Sequence, residues 1–155
     1  MAGYEEQLER VRRYYARFRK LNDGMEHTAA TDEYIDDVYA FFMHCHHLKD
    51  WLQKDPAYTK HTHRQIDNHV KHTQVLAICA DICNAAKHFT LGRRCSGGTP
   101  RMGKGVGEVN LCDGISGEEL PTTIKLRLSI THGGKERDAF QLATDALRSW
   151  ESFIG

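Results

Sequence analysis

No stretch of this chain approaches the roughly 18 consecutive apolar residues of a membrane-spanning helix, and no short apolar core follows its N-terminus as in a secretory leader. A membrane partner is therefore not expected, and a cytoplasmic setting is. Charge of one sign is also lacking: 21 Lys and Arg face 21 Asp and Glu. Bulk electrostatic attraction to nucleic acid is excluded on that count, although a local basic patch remains compatible with it. There is no Cys-x-x-Cys pair, no His-Glu-x-x-His, and no paired Glu-x-x-His of the kind di-iron bundles use. No cofactor and no metal site are expected from the motifs. No internal repeat is present.

What is there fits an ordinary globular chain. With 155 residues, 40% hydrophobic and 27% charged, it suits one domain over 1–155 and can bury roughly two-thirds of its unfolded surface without a disulfide or metal. Five cysteines stand at 45, 79, 83, 95 and 112. An odd number without a leader reads as reduced thiols. Cys79 and Cys83 are four apart, on one face of a predicted helix, where they act as two small buried hydrophobes.

The apolar spacing predicts five helices. Tyr4, Leu8, Val11, Tyr15, Phe18 and Leu21 recur at three and four residues over 4–21, with Arg10, Arg12, Arg13, Arg17, Arg19 and Lys20 on the other faces. A second helix is expected from an N-cap at Thr31 to about Gln53, ended by Pro56. A short, half-exposed helix falls near 62–71 and a stronger one from Thr73 to Leu91, capped by Gly92. The last, capped by Asp138, runs over 138–154 and directs Phe140, Ala143, Leu147 and Trp150 into the bundle. Between these, residues 92–117 hold eight of the 13 glycines, so 92–120 reads as a glycine-rich loop carrying the first strand of a hairpin. Ile124, Leu126, Leu128 and Ile130 alternate with polar residues in a strand over 121–131, whose antiparallel partner is Val106 to Cys112. Gly133-Gly134 turns the chain toward the last helix. The fold class is thus mainly α: a bundle of about five helices with one β-hairpin inserted before the C-terminal helix. A lone hairpin must lean on something, and the apolar face from Ile124 to Ile130 is the surface predicted for a possible homodimer.

Eight of ten histidines lie between 44 and 88. His44 and His47, and His69 and His72, are each three apart and share helix faces. With Asp50 or Asp37 they outline a metal-binding alternative. The most pointed segment runs from Asp81 to His88. Asn84 and His88 share a face near a helix C-terminus, where the dipole favours a charged imidazole. Lys87, Arg93 and Arg94 crowd the same end, and residues 82–107 hold five basic and no acidic residues. This composition suits an anion such as a phosphate, with His88 as the one catalytic candidate, Asn84, Lys87 and Arg93 as ligand-binding residues, and Asp50 as a partner for His88 across helices.

The segments FFMHCHHLKDWL, CADICNAAKHFTL and DAFQLATDALRSW, with the hairpin between the last two, resemble a group of uncharacterised small bacterial helical proteins over residues 34–153. In layout the chain is similar, more distantly, to the HEPN superfamily. That resemblance implies a helical, often dimeric scaffold, which in many members is a metal-independent ribonuclease and in many others is not catalytic. The family's signature is Arg, four to six residues, then His. Here no Arg precedes His88 at that spacing, and Asn84 stands nearest. The pattern occurs at Arg64–His69, on a predicted helix, and at Arg127–His132, on a predicted strand. The expectation is a non-catalytic helical module binding a partner or phosphorylated ligand at the Lys87–Arg94 end. A metal-independent ribonuclease acting on RNA and a metal-dependent enzyme using the histidines are the alternatives, so enzymatic activity stays open.

Overall fold

The computed structural model describes residues 2–87, 100–103, 107–110 and 123–155, with backbone alone at 87, 101 and 107–110. Among the described residues are five helices: α1 (Tyr4–Asp23), α2 (Thr31–Lys54), α3 (His63–His72), α4 (Gln74–Lys87) and α5 (Ala139–Ile154). Six short strands accompany them: β1 (Met25–Glu26), β2 (Arg101–Gly103), β3 (Gly107–Asn110), β4 (Thr123–Leu126), β5 (Ser129–His132) and β6 (Lys135–Asp138). The protein is mainly helical, with small antiparallel sheets before the C-terminal helix.

The predicted stripe of α1 is the buried one. Leu8, Val11, Phe18 and Leu21 enter the core, where the Phe18 ring meets Phe140 edge-on at 5.3 Å and Phe42 at 6.4 Å. The basic residues between them are solvated and largely ion-paired: Arg10 with Glu6, Arg12 with Glu9 and Glu151, Arg17 with Asp37, and Arg19 with Asp23. Helix α2 is the central strut, burying Val38, Phe41, Phe42, Cys45, Leu48 and Leu52. Its cap falls at Ala30, one residue before the Thr31 expected from propensity. The Ala30 amide donates to the Glu33 carboxylate at 3.2 Å and the Ala30 carbonyl accepts from the Glu33 amide at 3.0 Å, so only the Glu33 half of a capping box is made by a side chain. Asp55, extended as a residue before proline must be, ends the helix.

Thr62 caps α3 reciprocally with Gln65, but only Ile66 and Val70 of α3 are buried. Helix α4 follows, with Leu76, Ala77, Ile78, Cys79, Ala80, Asp81, Ile82 and Cys83 all buried. It is described as far as Lys87; its predicted end at Gly92 lies outside the described residues. Helix α5 begins with Asp138 accepting from the Gln141 amide at 2.7 Å, as the sequence predicts. It seats Trp150 fully inside, donating to the Cys45 carbonyl at 3.0 Å.

The predicted hairpin is present as β3 against β4, with Val109 opposite Ile124. The single strand expected over 121–131 is two. At the break the chain passes from one sheet to the other, and the Leu128 carbonyl, accepting from the Ala139 amide, prolongs the β5–β6 pairing. Strand β4 lies between β1 and β3, and β5 between β2 and β6. Gly133-Gly134 therefore closes a second hairpin, with His132 opposite Lys135, instead of leading straight into the helix. Both glycines have positive φ, +56° and +75°, the conformation of a type I′ turn, which suits glycine. Ile124, Leu128 and Ile130 are buried against the protein's own core. The face predicted for a homodimer is already covered by the same chain.

Candidate functional site

A helix turns 100° per residue, so neighbouring histidines on α2 must face different partners. His44 turns to α1. Its ring stacks on Tyr14 at 4.9 Å, and the fully buried Gln7 donates to the His44 carbonyl at 2.9 Å. Burial, then the charges of Arg10, His47 and Arg13, lower the His44 pKa. His46 is deeper. Burial chiefly, with Lys49 and His47, pushes its pKa down to about 4, against the opposing pull of Asp50 and Asp81. Its Nδ1 is buried without a hydrogen-bond partner among the described residues.

His47 reaches α4, where its Nε2 lies 3.6 Å from the Cys83 Sγ. Cys45 and Cys79 touch nearby, and burial, followed by the contact with Cys45, drives the Cys79 pKa well up. The pairings 45 with 79 and 47 with 83 advance together, so α2 and α4 run in the same sense and the end of α4 stands beside the later turns of α2.

At the later turns of α2, His47, Asp50, Trp51 and Lys54 line a cleft of about 600 Å³, within the size range of small-ligand sites. The start of α1 closes its other wall with Ala2, Gly3 and Tyr4. Asp55 ties the two walls together, accepting from the Tyr4 amide at 2.9 Å and the Ala57 amide at 2.8 Å. These two amides hold its pKa below the usual carboxylate value. A Cβ at Gly3 would sit 2.7 Å from Asp55 Oδ2, so a larger residue there would displace this carboxylate. The Arg10 guanidinium lies over the Trp51 ring at 5.7 Å. The cleft lining thus carries an indole, a lysine, an imidazole and two carboxylates. A second cleft, of about 530 Å³, lies between α1 and the start of α2. There Arg17 already pairs with Asp37.

Of the predicted site residues, Asp50 is exposed and lines the larger cleft. Asn84 is half-buried, one residue beyond Cys83. Lys87 ends the described part of α4, and its side chain is not described. His88 and Arg93 lie outside the described residues, and so does the expected pairing of Asp50 with His88. Asp81, expected on the same polar face as Asn84, is fully buried, so that face turns into the protein one turn before Asn84.

The other histidine patterns disperse. Arg64 is exposed, whereas the His69 ring stacks on Phe153 at 4.1 Å and sits 3.2 Å from the Ser149 hydroxyl. Burial lowers the His69 pKa. His61 covers the other side of Phe153 at 3.9 Å, so the phenyl ring lies between two imidazoles. His72 donates to the Asn68 carbonyl instead of joining His69. Arg127 is exposed at the strand break and His132 is buried. Neither Arg–His spacing forms a paired site. Among the described residues no three His, Cys, Asp or Glu side chains converge to hold a metal ion.

The His47–Cys83 contact and the buried Gln7 were missed by sequence reasoning. Gln7 carried a signal, being three residues after Tyr4 and four before Val11 and therefore within the apolar stripe. The thiol–imidazole contact had none, because it joins residues 36 apart through helix packing.

The site thus belongs to a mainly helical protein with an amphipathic cleft at one end of its central helix. Compared with family models, with curated proteins and with solved structures, the chain matches none.

Proposed function

We propose that this chain is a helical ligand-binding module of HEPN-like layout, and that a phosphorylated small molecule enters the cleft between the later turns of α2 and the start of α1. The observation that carries this reading is the cleft of about 600 Å³ where Trp51 stands next to Lys54, His47 and Asp50. Such a rim offers a planar apolar surface, a lysine and an imidazole for a phosphate and an acceptor for a hydroxyl or amine. The sequence adds support, since Lys87 and Arg93 belong to a stretch with five basic and no acidic residues. His88 enters this proposal as a further phosphate contact. The ribonuclease and metal-enzyme alternatives draw less support, because the described Arg–His spacings are dispersed and no ligand triad converges among the described residues.

The test is titration with a nucleoside monophosphate, read by the fluorescence of Trp51 in a Trp150→Phe background and by amide NMR shifts. Saturable changes at residues 47–55, weakened at least tenfold by Lys54→Glu, are expected. Shifts confined elsewhere, or none up to millimolar ligand, refute the reading. Cleavage of RNA in chelator that His88→Ala abolishes would replace binding with catalysis.

A further inference from the structure

We propose that Cys83 is a thiol–disulfide exchange site, activated by His47 and fed through the adjoining cleft by a zwitterionic low-molecular-weight disulfide. This inference shares only the cleft with the binding reading and does not depend on the bound anion.

Three observations converge. The Cys83 Sγ is 3.6 Å from His47 Nε2, and His47 itself lines the cleft. Cys83 retains 6% of its surface in contact with solvent, whereas Cys45 and Cys79 retain none. The rim beside the pair carries Lys54 against Asp50 and Asp55, a mixture matched to the ammonium and carboxylate groups of a small peptide.

The location selects the chemistry. Cys83 sits within α4, where backbone amides are committed to helix bonds. An acyl-transfer intermediate would find no amide donors for its oxyanion there. Disulfide exchange needs no such donors, because its transition state spreads charge over three sulfurs in line. In the forward step, the Cys83 proton passes to His47 Nε2 and the thiolate attacks one sulfur of the incoming disulfide. A new S–S bond to Cys83 forms as the old one breaks. The departing thiolate takes the proton back from His47, leaving a mixed disulfide and one free small thiol. Oxidation state is conserved, because one disulfide is exchanged for another. His47 acts as general base and then general acid.

The experiment uses the full chain with Cys95 and Cys112 replaced by serine, incubated with oxidised glutathione and, separately, with the neutral 2-hydroxyethyl disulfide. Adducts are located and timed by peptide mass spectrometry. Glutathionylation is expected on Cys83 at least tenfold faster than on Cys45 or Cys79. His47→Gln should slow it at least tenfold, His72→Gln should leave it unchanged, and Cys83→Ser should abolish it. Circular dichroism of each variant confirms that it is folded, and His47→Asn serves if His47→Gln is not. Equal rates in the His47 variants and the parent, or adducts elsewhere than Cys83, overturn the proposal. If the neutral disulfide reacts as fast as glutathione disulfide, the cleft's role in selecting the disulfide is overturned. Nucleotide binding retained by Cys83→Ser would show the anion reading standing independently of either result.

Discussion

The most decisive measurement concerns His46 and acid. In the folded protein burial holds its pKa near 4, against about 6.5 for an unperturbed histidine. Above pH 6.5 both folded and unfolded chains carry a neutral ring, and the group costs nothing. Between pH 6.5 and 4 the unfolded chain binds a proton that the folded one refuses. Unfolding is then favoured by about 1.4 kcal/mol for each pH unit. The loss begins near pH 6.5, ends near pH 4, and amounts to at most about 3 kcal/mol, since each unit of difference is worth about 1.4. Burial also lowers His44 and His69, so the total slope alone does not isolate His46. Urea denaturation of the parent and of His46→Gln at several pH values between 7 and 4 does. The variant should lose about 2–3 kcal/mol less over that range, and the His46 ring resonances of the parent should titrate with a midpoint near 4. Parallel stability curves for the two proteins, or a midpoint near 6.5, would refute the assignment of burial as the dominant influence.

Two further changes probe the scaffold. Gly134→Val should destabilise by about 1–2 kcal/mol, because a β-branched residue is forced to positive φ. Open space around the position leaves backbone strain as the only cause, so the milder Gly134→Asn should recover much of the loss in thermal denaturation. Trp150→Phe removes the bond to the Cys45 carbonyl and part of a fully buried ring. Urea denaturation should register a loss of about 1–3 kcal/mol, and a change below about 0.5 kcal/mol would show that this anchor is dispensable.

Local patterns carried most of the fold. The stripes of α1, α2 and α5 repeat at helical spacing, and the Asp138 cap and Pro56 stop act within a few residues of themselves. The alternation from Ile124 to Ile130 marks Ile124, Leu128 and Ile130 as buried, although Leu126 is only half-buried, and it continues unbroken across Leu128. The break there is a passage from one sheet to the other, and strand pairing leaves no trace in hydrophobic pattern. Likewise Ala30 is a poor cap by propensity, and its side chain accepts no bond there. The site was less legible. Asp50, expected as a partner for His88 in a pairing outside the described residues, lines the cleft. Trp51 and His47 were legible only as members of a stripe and a histidine run. Which wall each would face depends on how α1 and α4 pack against α2.

Helix α3 has a consequence of its own. It offers the core only Ile66 and Val70, and much of its remaining hold on α5 is the phenyl plate of Phe153 between His61 and His69. A segment so shallowly rooted is the first to detach while the protein stays native. Its amides should exchange with deuterium well before those of α2, and each such excursion briefly uncovers the flank of α4 on which it rests.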